Sequence, residues 1–127
     1  MAATLAVANE KEVTNASANA MFANIDIRTG EVISDACDYE EKLYTVHPKT
    51  GVKFKGFVIP FWDDVLKLVE KASAVVPEVG YVGWDIAITS NGPVIVEGNN
   101  CPGYEWMQVR MINPEGYGKK SIYGQFM

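Results

Sequence analysis

Three oxygen-bearing side chains, Asp85, Glu97 and Asn99, stand in two otherwise apolar stretches, Tyr81 to Thr89 and Val94 to Asn99. An acid in such a strand is costly to bury unless something pairs with it. Two carboxylates and an amide oxygen are hard ligands of the kind Mg²⁺ takes, with water and phosphate filling its other positions. Whether the three meet depends on register. A two-residue loop at Asn91-Gly92 sets Asp85 opposite Gly98 and Ile86 opposite Glu97, with the acids on opposite faces. A three-residue loop, Asn91-Gly92-Pro93, sets Asp85 opposite Asn99, Ala87 opposite Glu97 and Ile88 opposite Val96. A one-residue slip inverts a strand's faces, so the apolar pattern chooses between them. It favours the three-residue loop, because Trp84, Ile86, Ile88, Val94 and Val96 then share the core face. The acids gather on the other side. Spacing alone leaves two readings open, a metal-binding pair or two acids lining a solvated sheet face.

Other chemistry-bearing residues read more plainly. Arg110 follows the loop after these strands and is the cation most readily placed beside the site. His47, the single histidine, precedes Pro48 and reads as a turn or surface residue. Trp62, Trp84 and Trp106 read as core or interface rather than stacking platforms. Lys49, Lys53 and Lys55 form a local basic cluster of the solvated kind. Cys37 and Cys101 lie outside any CxxC spacing and read as reduced, half-buried thiols rather than a zinc site.

The elements that must position these residues follow from periodicity. Met21 to Arg28 alternates apolar and polar, and Glu31 to Ala36 follows Thr29-Gly30, which predicts a β-hairpin turning at Arg28-Thr29-Gly30. Residues 38 to 58 form an excursion through His47-Pro48-Lys49-Thr50-Gly51. The clearest helix follows Pro60, with Phe61, Val65, Leu68, Val69, Ala72 and Val76 on one face. Asp63 and Asp64 in its first turn, with Lys67 and Lys71 later, suit the helix dipole, and Pro77 stops it. A shorter second helix is expected from about Tyr104 to Met111. Residues 1–19 are Ala- and Asn-rich with weak periodicity and read as irregular or poorly ordered, with no element assigned to Thr14 to Asn19. Strands and one strong helix in this order predict an α+β domain with an antiparallel sheet, since a parallel sheet needs more crossover helices.

Size and charge bound the function. The chain has 127 residues, enough for one domain and one core, and residues 1–127 read as a single domain. Its formal net charge of -5 argues against duplex nucleic acid or an anionic membrane as partner. The apolar start, Met1 to Ala8, has no basic region before it and is cut off by Asn9 to Glu12, so it reads as neither signal peptide nor membrane span. A cytoplasmic protein is expected.

The string Gly83-Trp84-Asp85-Ile86-Ala87-Ile88-Thr89, then Gly92-Pro93-Val94-Ile95-Val96-Glu97-Gly98-Asn99, closing in Pro102-Gly103, resembles the metal-binding strands of ATP-grasp enzymes. It is most similar to the sugar-transfer-associated ATP-grasp group linked to polysaccharide biosynthesis, whose core resembles D-alanine–D-alanine ligase and glutamate-ligase-like proteins. The resemblance extends to Ile25-Asp26 with Thr29-Gly30, to His47-Pro48 with Thr50-Gly51, to Ile59-Pro60-Phe61-Trp62, and downstream to Gln108. It implies that Asp85, Glu97 and Asn99 hold Mg²⁺ ions bridging the phosphates of ATP. It also implies acyl activation, in which ATP phosphorylates a carboxylate and an amine or similar nucleophile displaces phosphate.

The chain also departs from that pattern. Its elements resemble the C-terminal half of the fold, and the lysines and adenine-reading strand of the other half find no place in it. Around Leu5-Ala6-Val7-Ala8 the family has Arg where Ala6 stands and Gly where Ala8 stands, which implies a missing phosphate-contacting arginine. Residues 16–23 lack the glycines expected before the Ile25 strand. The reading is therefore the metal half of an ATP-dependent carboxylate ligase, needing a complementing half to use ATP and a carboxylate substrate. The alternative is a degenerate half serving as a binding or assembly module, associating as a homo-oligomer through the surface left uncovered. A carboxylate-pair hydrolase is disfavoured, because both acids point to one sheet face beside an amide.

Overall fold

The computed structural model describes residues 1–9, 20–103 and 112–113. The chain divides into two compact units, Met1–Val58 with Glu105–Met127, and Ile59–Tyr104. Among the described residues the sheets are antiparallel and there is one helix, so the class is α+β.

The first unit is built on a four-stranded sheet in the order β1 (Ala3–Ala8), β2 (Ala20–Ile25), β3 (Ala36–Cys37), β4 (Leu43–Tyr44). β1 pairs with β2 along its whole length, from Ala3 opposite Ile25 to Ala8 opposite Ala20. The weak periodicity of residues 1–19 reads as irregular or poorly ordered chain, yet Ala3–Ala8 is a strand. Alanine gives little hydropathy contrast, so alternation is faint there, and the strand exists because β2 supplies a ladder. Thr14 to Asn19 lie outside the described residues. The expected hairpin after Met21 is present, turning at Asp26 to Gly30. The Asp26 carbonyl accepts the Gly30 amide at 2.8 Å, and Gly30 takes φ 74°. Ile25 then bridges to Val32.

This unit buries Met21, Ala23, Ile25, Val32, Ala36, Phe54 and Ile112. Three polar residues, Asn24, Ser34 and Asn113, join them. Asn24, 1% exposed, donates from Nδ2 to the carbonyl of Ile112 and to Asn113 Oδ1. Its own Oδ1 and the Oγ1 of Thr4, directly opposite it on β1, are buried without a hydrogen-bond partner among the described residues. In the excursion, Asp38 organises the turn from β3 to β4. Its Oδ1 accepts the amides of Glu40 and Lys42, and its Oδ2 accepts the Tyr44 hydroxyl at 2.8 Å. Burial would raise Asp38, but those donors outweigh it and hold the carboxyl below its usual range.

The second unit holds the helix α1 (Trp62–Ser73) and the hairpin of β5 (Gly83–Thr89) and β6 (Gly92–Asn99). The helix appears where periodicity placed it, but its inward face starts one residue later. Phe61 is the N-cap with left-handed backbone, φ 58°, and is 43% exposed, while Trp62 and Val65 are buried. That left-handed residue turns the chain so that Trp62 enters the core in place of Phe61. At the other end the amides of Ala74 and Val75 close onto Glu70 and Ala72, so the helix stops before Pro77 is reached and Val76 lies beyond it. The second helix expected near Tyr104 to Met111 falls outside the described residues. No helix among the described residues is long and apolar enough to cross a membrane.

Candidate functional site

The hairpin register decides whether the oxygen ligands converge, and it is neither of the two read from the sequence. The loop is Ser90-Asn91, with Thr89 opposite Gly92, so the chain reverses one residue before Asn91-Gly92-Pro93 would have done it. Thr89 closes this turn. Its Oγ1 donates to the Gly92 carbonyl at 2.8 Å and accepts the Asn91 amide at 3.2 Å. Gly92 takes φ 117°, a backbone that L side chains rarely adopt.

From this turn the ladder runs Ile88 opposite Pro93, Ala87 opposite Val94 and Ile86 opposite Ile95. It then shifts by one residue. Asp85 faces Glu97, Trp84 faces Gly98 and Gly83 faces Asn99, which leaves Val96 as the extra residue of a β-bulge. The face shared by Trp84, Ile86 and Ile88 therefore carries Ile95 and Pro93. Val94 and Val96, assigned to that face from the alternation, are instead 46% and 66% exposed. The bulge resets the phase of β6, so Glu97 comes round to the side of Asp85 although Ile95 does not.

The acids thus converge by a different route from the one the apolar pattern suggested. Asn99 Nδ2 donates to Glu97 Oε1 at 2.9 Å, and the Asn99 amide oxygen takes no hydrogen bond among the described residues. Desolvation and, next, the facing Glu97 carboxylate hold the Asp85 carboxyl above its usual range. Neither acid forms an ion pair with Lys or Arg among the described residues. Two facing carboxylates with an amide oxygen beside them, and no Lys or Arg paired with them among the described residues, suit a hard divalent ion that keeps part of its water shell. No group of three His, Cys, Asp or Glu close enough to hold a metal occurs among the described residues. The set here is two carboxylates and an amide.

Two close approaches flank the pair. A Cβ on Gly98 would stand 2.5 Å from the Trp84 ring, and one on Gly83 would stand 2.4 Å from Pro102. The Trp84 ring therefore lies across the bare backbone of Gly98, and the Pro102 ring lies against Gly83. Trp84 has the packing role expected of it, and Trp62 is in the core. The bulge had no signal in the unbroken apolar run Val94-Ile95-Val96. The glycine facing a tryptophan was the readable clue to the register.

The remaining candidates lie elsewhere. His47 is a turn residue, as expected. Its Nδ1 accepts the amides of Lys49 and Thr50, which leaves Nε2 to donate to the Ala8 carbonyl at 3.0 Å. Cys37 is buried, and burial, then Asp38 and Glu41, push its thiol up. Cys101 is exposed rather than half-buried, being on the loop that leaves β6. An open groove lined by Phe61, Lys67, Leu68, Lys71, Asn91 and Pro93 lies at the turn end of the hairpin, away from Asp85. Arg110, Trp106 and Gln108 lie outside the described residues.

Residues 1–120 match the family model described as sugar-transfer associated ATP-grasp. No curated protein and no solved structure matches the chain.

Proposed function

The chain belongs to the sugar-transfer associated ATP-grasp family, and from that membership we propose that it supplies the metal- and ATP-phosphate-binding half of a carboxylate ligase. The reaction is the joining of a carboxylate to an amine or similar nucleophile through an acyl-phosphate, in the service of polysaccharide biosynthesis in the cytoplasm. The observation that carries this reading is the facing pair Asp85 and Glu97 with the Asn99 amide on Glu97.

In this reading Asp85, Glu97 and Asn99 hold Mg²⁺, which when bound neutralises charge on the phosphates of ATP. The three side chains act as ligands. None is required as a proton donor or acceptor. Asn99 orients the Glu97 carboxylate, and the hairpin fixes the separation of the two acids. Arg110 supplies a cation to the phosphates. The family's phosphate-contacting arginine has no counterpart at Ala6, so nucleotide binding rests more heavily on the metal.

The test is calorimetric titration of the 127-residue chain with Mg²⁺ and a non-hydrolysable ATP analogue, against the Asp85→Asn/Glu97→Gln double variant. Metal-dependent binding lost in the double variant is the expected result. A folded chain that binds no nucleotide at millimolar concentration overturns the catalytic reading and favours an assembly module.

A further inference from the structure

We propose that the β-bulge at Val96 is a positioning device that aims Glu97 at the cation, an inference that rests on the metal-binding reading above. Three observations carry it. First, the extra residue separates two well-matched segments. On the turn side, Ile86 faces Ile95 and Ile88 faces Pro93. On the other side, Trp84 lies across Gly98, and Pro102 lies against Gly83. The register is thus held on both sides, and the irregularity is confined to the junction beside the acids.

Second, the bulge keeps Asp85 opposite Glu97 only because Val96 is in the chain; the pairing itself does not need the extra residue. If Val96 were absent, Glu97 would follow Ile95 directly. A regular ladder would then still set it against Asp85, on the same face. What the extra residue changes is local direction. A bulge bends its strand, increases the twist and re-aims the next side chain. Third, packing does not account for Val96. Its side chain is 66% exposed, and a bulge forfeits regular ladder pairing at that point. A costly irregularity with an exposed apolar residue, next to two carboxylates that no Lys or Arg pairs with among the described residues, is what a site geometry set against stability would show.

The ion itself gives the inference a distinctive readout. Mg²⁺ demands near-ideal octahedral geometry, whereas Ca²⁺ accepts irregular and larger coordination. If the bulge sets the angle between the two carboxylates, removing it weakens Mg²⁺ more than Ca²⁺. A merely structural role would leave that ratio alone.

The experiment compares the full chain with a variant lacking Val96, measuring Mg²⁺ and Ca²⁺ dissociation constants with the ATP analogue present, and the melting temperature of each protein. The expected result is a Mg²⁺ constant raised roughly 10–100-fold, a smaller rise for Ca²⁺, and a melting temperature equal to or above that of the parent. Should the deletion fail to fold, Val96→Gly and Val96→Thr read the same property. Glycine loosens the bulge and raises the Mg²⁺ constant several-fold, while threonine keeps its shape and leaves the constant unchanged. Equal Mg²⁺ affinity in parent and deletion, or in parent and Val96→Gly, overturns the bulge's role and leaves the metal-binding reading standing. A parent chain that binds neither ion overturns both.

Discussion

Asp85 faces Glu97 directly across the β5–β6 ladder, each carboxylate with no Lys or Arg to pair with among the described residues. Like charges directly opposite on neighbouring strands destabilise a sheet. The arrangement therefore costs the fold something; desolvation first, and the Glu97 charge second, raise the Asp85 carboxyl.

The sign of the pH dependence follows. The Asp85 carboxyl sits above its ordinary value of 3.8 in the folded chain. The folded state therefore holds this proton more tightly than the unfolded state, and stability is lost as pH rises through that raised value. Asp85→Asn removes the charge and keeps the shape. In metal-free buffer the variant melts a few degrees above the parent at pH 7, and the two converge near about pH 3, where Asp85 is protonated in both states. Thermal melts across that range check it. A variant that melts lower than the parent at pH 7 would show that Asp85 makes a stabilising contact instead.

A second prediction concerns the buried pair opposite each other on β1 and β2. Thr4 Oγ1 and Asn24 Oδ1 are both out of solvent and both without a partner among the described residues. A buried polar group left unsatisfied costs about 1–3 kcal/mol, and replacing it by an apolar group of the same shape recovers much of that. Thr4→Val keeps the branched shape in a strand that favours it. It is expected to raise stability by about 1 kcal/mol, or several degrees in melting temperature for a domain of this size. Denaturant and thermal unfolding measure it. A loss of stability would mean that the Thr4 hydroxyl is satisfied in solution, by a bound water.

The elements were legible in the sequence where side-chain contrast was strong. The helix after Pro60 and the hairpin arms around Asn91-Gly92 carry large apolar residues at regular spacing, and both are present. Boundaries and register were less legible. The left-handed backbone of Phe61 leaves it exposed and brings Trp62 in, while Val65, Leu68, Val69 and Ala72 keep the face read from the spacing, and no local propensity announces such a conformation in a phenylalanine. Counting loop residues could not locate the hairpin register either, because the Thr89 hydroxyl closes the turn early and Val96 then inserts one unpaired residue. Two departures from the ideal ladder acted together. The convergence of Asp85 and Glu97 survived because the bulge restored the phase that the shorter loop had lost. Strand β1 was missed because its order depends on a neighbour distant in sequence.

The third prediction probes how the site end of the hairpin is held. Gly98 stands opposite Trp84, and a Cβ there would come within 2.5 Å of the ring's Cζ3 atom and 2.9 Å of Cε3. Those atoms belong to a rigid bicyclic ring, so the clash is relieved only by moving the whole indole or the backbone of β6. Overpacking of this kind costs typically 1–3 kcal/mol. Gly98→Ala is expected to lower stability by about that amount, although alanine is the better residue for a strand on backbone entropy alone. The double variant Trp84→Leu/Gly98→Ala separates the two effects. With the ring gone the alanine has room, so the added cost of Gly98→Ala in the Trp84→Leu background should fall close to zero. Unfolding free energies for the four proteins of this cycle give the coupling directly. Additive losses would mean that Trp84 does not lie over Gly98, and the site end of the hairpin would need another anchor.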